Sequence, residues 1–391
     1  MSRGRLFAAA CAGLFIFGAT IALLGTLFGL PEMRDRLGID LARQGELFSV
    51  LFVGMLAATA VAGPMIDRVG HKAVLATSSI LAAFGLAGLT LAGSFGAAAA
   101  ALVVLGFGSA GLNTATNAVV SELYPEDRGR MMNLLGIFFG VGALFVPLLK
   151  VAIFGVLSIS GLIGVMIALA AACGATYATM SFPPPREAAA VSLAEMLKTV
   201  TYPGVMVFAL LLLIQTGNES TMSGWITTYV GDRGWPARTA TGVLAGYWAA
   251  VIAGRLLFAS LSRAIDKKWI VVGCGVGAMG GCGLLMASQS IAWLTAAALV
   301  SALALSGVFP TTLAMVGDRY HRYAGTVFGL VFTVSSLGGM VAPPIVGYLS
   351  QAHGVRVGMM VPLVGAGLVA AIAASFRAEG VGRKAGVGDR W

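Results

Sequence analysis

Apolar residues run along this chain in long stretches, broken at intervals by short charged turns, and the stretches are too long for a soluble core. A bilayer core of about 30 Å takes roughly 20 apolar residues in a helix. That ruler predicts twelve membrane spans, over 6–30, 46–66, 73–92, 97–120, 131–149, 154–180, 204–230, 239–261, 269–287, 293–316, 327–349 and 357–376. Most connections are short. The one clear break is 181–203, where Pro183, Pro184 and Pro185 open a polar, mixed-charge segment that runs to Pro203. It predicts a cytoplasmic linker between an N-terminal six-helix bundle (1–180) and a C-terminal one (204–376), with 377–391 as a frayed cytoplasmic tail. The expected fold class is an all-α membrane protein with twelve transmembrane helices in two six-helix bundles.

Composition agrees. Of 391 residues 58% are hydrophobic and 10% charged, with a mean hydropathy of +0.91. Soluble domains carry about 25% charged residues, so a soluble enzyme, a disordered chain and a disulfide scaffold are excluded. The net charge of +9 does not indicate nucleic acid, because the basic residues are scattered and form no run. They sort by side instead. With the N-terminus inside, seventeen Lys and Arg fall on the cytoplasmic side and six on the outer side, which predicts both termini in the cytoplasm and residence in the plasma membrane. The first apolar run exceeds the roughly 7–15 residues of a leader's apolar core and is expected to be a span. Cys11, Cys173, Cys274 and Cys282 lie in apolar stretches without a CxxC pair, and are expected to be buried small hydrophobes. A monomer in a lipid bilayer, without metal or cofactor, is the expectation.

The chain also repeats itself. Glu122 and Asp318, Tyr124 and Tyr320, Gly129 and Gly325, Gly142 and Gly338, and Pro147 and Pro343 all recur at one offset of 196 residues. Half the chain is one such unit, so the sequence is a tandem duplication. An even number of helices per unit makes the two repeats parallel, an arrangement that secondary transporters use.

Between the second and third spans the chain reads Gly63-Pro-Met-Ile-Asp67-Arg68-Val-Gly70-His-Lys72. This resembles the cytoplasmic signature of the major facilitator superfamily, G-x-x-x-D-R-x-G-x-[RK]. The glycines permit a tight turn and close helix approach, and Asp67 suits the positive N-terminus of a neighbouring helix. The resemblance implies that this neighbour is the eleventh span, so that Gly63, Asp67, Arg68, Gly70 and Lys72 form a cytoplasmic gate latching the two halves. A narrower resemblance rests on Asn117 and the SELYPEDRGR string, on Asn218-Glu219 through Gly224-Trp225 to Tyr229, on Gly246-Tyr247-Trp248 through Gly254-Arg255, and on Phe309-Pro310 with the GDRY loop. Together they are similar to the fucose–proton symporter branch of that superfamily. Two departures limit what carries over. The first span has no carboxylate, and the central polar residues of the fourth are Asn113 and Asn117, so the branch's proton site and fucose itself do not transfer.

Polar groups inside a bilayer are costly, and each is a functional candidate. Glu219 is the one acidic residue deep within a predicted span. A carboxylate there either binds a cation or takes a proton, which makes Glu219 the candidate for proton coupling, with sodium as the other coupling ion. The plainer alternative is a protonated Glu that ties helices together. Helical spacing sets Gln215, Asn218, Glu219, Met222, Trp225 and Tyr229 on one side of the seventh span, and Ser109, Asn113 and Asn117 on one side of the fourth. Amides beside an indole suit a neutral polyhydroxylated ligand. Hence Asn113, Asn117, Gln215, Asn218, Trp225 and Tyr229 are the candidate substrate-binding set, the alternative being interhelical ties of about 0.6 kcal/mol each. An anion would want a central cation, and a count from the helix ends sets Lys150 near the outer face and Arg255 about one turn from the cytoplasmic face.

Two GxGxxG strings, Gly106–Gly111 and Gly275–Gly280, follow no strand and are expected to serve close helix packing. No HExxH, GxSxG or P-loop occurs, and no enzyme is expected. The sequence thus predicts a secondary active transporter that moves a small neutral polar solute, a sugar being one such cargo, by alternating access and with protons. The rival with the same fold is a proton-coupled exporter of amphipathic compounds. A membrane enzyme or a sensor is the rival of another class, and nothing in the sequence supplies a catalytic cluster for it.

Overall fold

A computed structural model describes residues 2–156, 158–182, 203–262, 264–320 and 324–376. The predicted tail and nearly all of the predicted linker lie outside the described residues. Among the described residues every regular element is helical: α1 (Arg3–Phe28), α2 (Pro31–Leu37), α3 (Leu41–Leu91), α4 (Phe95–Leu123), α5 (Arg128–Ala152), α6 (Ile159–Thr179), α7 (Pro203–Asp232), α8 (Ala237–Leu261), α9 (Lys267–Ala287), α10 (Ile291–Arg319), α11 (Ala324–His353), α12 (Val355–Gly358) and α13 (Met360–Ser375). Eleven apolar helical stretches are long enough to cross a membrane. The 51-residue α3 is long enough for two crossings, and it folds back at Gly70, whose φ of 82° and ψ of 164° break the helix. Both legs lie along α4, since Gly54 seats against Val103 and Gly85 against Leu105. Twelve crossings result. The turn expected between the second and third spans is thus one residue in a conformation that glycine tolerates best. The short α2, with Pro31 at its start and Gly38 in the left-handed region at its end, was not anticipated.

Side-chain caps set several helix starts. Asp40, Ser94, Ser158, Asp266 and Ser290 each accept a backbone N–H of the first turn of α3, α4, α6, α9 and α10, worth about 1 kcal/mol apiece. Large apolar side chains such as Phe84, Leu91, Leu148 and Trp293 stay exposed, as a lipid-facing wall requires. The four cysteines are free and buried. Both GxGxxG strings pack as expected: a side chain at Gly106 would strike the Leu51 carbonyl, and one at Gly275 the backbone of Ala370.

The duplication is visible in the packing. Gly142 of α5 lies against the Phe15 carbonyl of α1, and its repeat mate Gly338 of α11 against the Leu213 carbonyl of α7. These contacts close each half around its first helix. The halves meet on the side away from the termini. Gly25 abuts Ser223, Gly45 abuts Pro343 and Pro344, and Gly347 abuts Leu41 and Ala42, while Gln44 Nε2 donates to Thr228 Oγ1 at 3.0 Å.

Exposure along the two innermost helices gives the shape between the halves. From Gly18 to Leu30 only Ile21 is even partly exposed, and from Ser220 to Val230 every residue is buried. Toward the termini α1 opens, with Ala8 and Ala12 exposed. Since the contacts between the halves described above lie on the far side, the exposed face of α1 lines a cleft that enters from the side of the termini.

Candidate functional site

Glu219 lies about midway along α7. It is 19% exposed and is the last exposed position on α7 before the buried stretch begins. Its Oε1 lies 3.8 Å from Nη2 of Arg255 on α8, an ion-pair distance too long for a hydrogen bond. Arg255 also spans the two halves. Its Nη1 donates to the Gly136 carbonyl of α5 at 3.2 Å, and the guanidinium lies 4.9 Å from the centroid of Phe139. Its Nε is buried without a partner.

This corrects the expected place of Arg255, whose charge reaches Glu219. Counting residues from helix ends ignored the long arginine stem, which carries the charge far from its Cα. A sequence signal was available, because Arg255 stands seven residues after Trp248 and so shares its helix face. Trp248 packs edge-on against Phe139 with centroids 5.8 Å apart, on the same α5 wall that Arg255 reaches. Lys150 is as expected remote, 6% exposed and 5.1 Å from the Phe154 ring near the other face.

The seventh-span stripe does not stay together. Gln215 Nε2 donates to the Leu305 carbonyl of α10 at 2.9 Å, and Tyr229 Oη donates to the Leu285 carbonyl of α9 at 3.2 Å. Asn218 packs where Gly365 of α13 leaves no room for a side chain. Trp225 and Met222 are fully buried in a cluster with Tyr247 and Trp248. Because α7 is enclosed on all sides over this stretch, a helical arc cannot distinguish a cleft face from a packed one. The expected stripe on α4 divides likewise. Ser109 Oγ donates to Thr20 Oγ1 of α1 at 3.1 Å, whereas Asn117 Nδ2 reaches the Asn113 carbonyl and Oδ1 at 2.7 and 2.9 Å. Asn113 and Asn117 are partly exposed, between the α4 faces that pack on α1 and α3.

Unpartnered polar atoms gather here. Gln215 Oε1, Thr216 Oγ1, Asn218 Nδ2, Thr221 Oγ1, Trp225 Nε1, Tyr247 Oη, Trp248 Nε1 and Arg255 Nε are all buried on α7 and α8 without a hydrogen-bond partner. Each such atom costs about 1–3 kcal/mol, and they are spread over several faces of the two helices. Tyr247, Trp248 and Thr216 were not among the expected site residues. Among the described residues no cluster has the makings of a metal site.

At the mouth of the cleft, Gly63 is open to a side chain, Arg68 and Lys72 are exposed, and Asp67 is partly exposed. The side chains at the start of α11, which the latch would engage, lie outside the described residues. The neighbouring His71 is 2% exposed, with Nε2 3.2 Å from Glu122 Oε1. Its mate at the 196-residue offset is Lys267, which pairs with Asp318, the mate of Glu122. The duplication thus preserves an ion-pair position while changing its chemistry.

Comparison with known proteins agrees with this architecture. The family model of the Major Facilitator Superfamily matches residues 10–343 and 243–387. An uncharacterized MFS-type transporter of Bacillus subtilis, YfkL, is 22% identical over 310 residues, covering 77% of this chain and 78% of its own. The solved fucose:proton symporter of E. coli superposes with a TM-score of 0.66 at 19% identity, over 96% of this chain and 99% of the other. A D-xylose-proton symporter superposes with a TM-score of 0.77 at 15% identity, over 95% and 97%. These structural likenesses establish the fold. With twelve crossings, an internal duplication, the glycine–aspartate signature at the mouth and a family match along the chain, this protein is a member of the major facilitator superfamily, a multi-pass membrane transporter.

Proposed function

We propose that the protein is a secondary active transporter that carries a small polar, hydroxylated solute together with a proton, by alternating access. The observation that carries this reading is Glu219 midway along α7, beside an arginine that contacts the opposite half. A carboxylate in that place changes charge on protonation, and the change acts on the contact through which the two halves communicate. Both termini lie in the cytoplasm in this reading, because short-loop Lys and Arg concentrate on their side, and the cleft described above faces inward. The latch around Asp67 closes when the cleft turns outward. Fold relatives that carry fucose and D-xylose with protons support a hydroxylated cargo, for which Asn113 and Asn117 offer amides. Trp225, Gln215, Asn218 and Tyr229 act behind the cleft wall, holding α7 against α9, α10 and α13.

The test is solute-driven proton movement. Purified protein in vesicles containing a pH-sensitive dye is offered L-fucose, D-xylose and D-gluconate in turn. Proton entry with one of them, abolished by a protonophore control, is expected. Solute uptake with no proton movement and a requirement for sodium would replace the proton with sodium.

A further inference from the structure

The preference for a neutral cargo rested on the lack of a central cation, and Arg255 removes that ground. Within the membrane-spanning stretches the described Lys and Arg side chains are Arg255 and the remote Lys150. A guanidinium has five N–H donors in a planar fork, and its Nε and Nη2 form one edge shaped for a carboxylate. In this structure Nη1 is committed to Gly136. On the Nε–Nη2 edge, Nε is buried without a partner and out of a ligand's reach, and Nη2 has only a distant oxygen of Glu219, at 3.8 Å. The Nη2 arm is therefore held only loosely, by a carboxylate that another carboxylate can replace.

We propose that the cargo carries a carboxylate, which takes the place of Glu219 on Nη2 of Arg255. The inference rests on reading Glu219 as the proton carrier. The charge balance then supplies the coupling. Glu219 and Arg255 are neutral as a pair, so an incoming anion leaves one negative charge in a low-dielectric site. A proton taken up by the displaced Glu219 carboxylate discharges it, and anion and proton cross together without net charge. Binding of each favours the other. Facing Glu219, α8 contributes Arg255 and the phenol of Tyr247, while α1, α10, α11 and α13 carry described charged side chains only at their ends. The same holds for the described charged side chains of α5, Arg130 and Lys150. The partly exposed amides of Asn113 and Asn117 suit hydroxyl groups on the same molecule, which makes a small hydroxylated carboxylate the fitting class.

Equilibrium binding to the full-length protein in nanodiscs, without any ion gradient, tests this apart from proton-driven transport. Three acid–amide pairs serve as probes: D-gluconate and D-gluconamide, L-lactate and L-lactamide, nicotinate and nicotinamide. At least one acid is expected to bind while its amide does not, and its affinity should rise about tenfold or more between about pH 8 and about pH 6. Glu219→Gln removes the competing carboxylate, so it should bind that acid at both pH values as tightly as wild type does at the lower one. Arg255→Gln should weaken binding about tenfold or more, with Arg255→Lys retaining part of it. The double variant Glu219→Gln/Arg255→Gln keeps the site uncharged, and it should also fail to bind if the single variant does not fold. Equal binding of acid and amide, retention of binding without Arg255, or silence of all three acids overturns the proposal. Acid binding with this mutant pattern but no proton movement in vesicles would leave the docking intact and remove the proton-carrier reading instead.

Discussion

Gly25 is where the structure can be pushed toward its other conformation. The glycine sits on α1 against the backbone of Ser223 and Gly224 on α7, and a Cβ there would overlap the Ser223 carbonyl, with Gly224 Cα 3.2 Å away. Both obstacles are backbone, so no rotamer change relieves them. Thr227 Oγ1 also donates to the Gly25 carbonyl, and parting the helices loses that bond, worth about 1 kcal/mol. Overpacking of this kind costs about 1–3 kcal/mol. The penalty falls only on the state in which α1 and α7 touch here, so Gly25→Ala should shift the equilibrium about 5- to 150-fold toward the state open on the other side. Ala12→Cys reports the result, because that position is exposed in the cleft while the native cysteines are buried. Its maleimide labelling from the side of the termini should be rapid in otherwise wild-type protein and strongly reduced with Gly25→Ala. Unchanged labelling in a folded Gly25→Ala protein would show that this contact does not hold the observed state.

Three further outcomes are expected. Asp67→Asn should weaken closure of the cleft mouth by about 0.3–1 kcal/mol, the worth of a carboxylate at a helix N-terminus; slower solute exchange with unchanged thermal stability is the check, and unchanged exchange counts against the latch. Trp225→Ala should cost about 3–5 kcal/mol as a fully buried core truncation, visible as a large fall in Tm, whereas Trp225→Phe keeps the packing and should stay near wild type. Glu122→Ala should lower Tm more than Asp318→Ala although the two are repeat mates. The first strands a buried imidazole at about 1–3 kcal/mol, while the second loses a half-exposed surface pair of about 0.2–1 kcal/mol; equal effects would refute the distinction.

The spans and the duplication were legible because lipid imposes a length and a composition on every crossing helix. The 196-residue offset even extends to His71 and Lys267, which sequence inspection passed over because their residue types differ. Side-chain reach was not legible. Arg255 stands near a helix end by residue count, yet its charge meets Glu219 and Gly136 through the stagger of α7, α8 and α5. Nor was the division of the α7 stripe. Gln215, Asn218 and Tyr229 turn toward three different helices, since a central helix has neighbours in every direction and its periodicity carries no single inward face. The hinge in α3 lay in between: Gly70 was recognised as a turn glycine, but the continuity of helix on both sides of it follows from its isolated left-handed φ.

The central claim is that one carboxylate couples solute to protons. Vesicles containing Glu219→Gln, which mimics the protonated carboxyl, separate the two halves of that claim when exchange and pH-driven accumulation of the same solute are measured side by side. The account predicts that solute still exchanges across the membrane at a rate near wild type while accumulation against a gradient is lost. Accumulation driven by the pH gradient in Glu219→Gln, at the wild-type level, would contradict it.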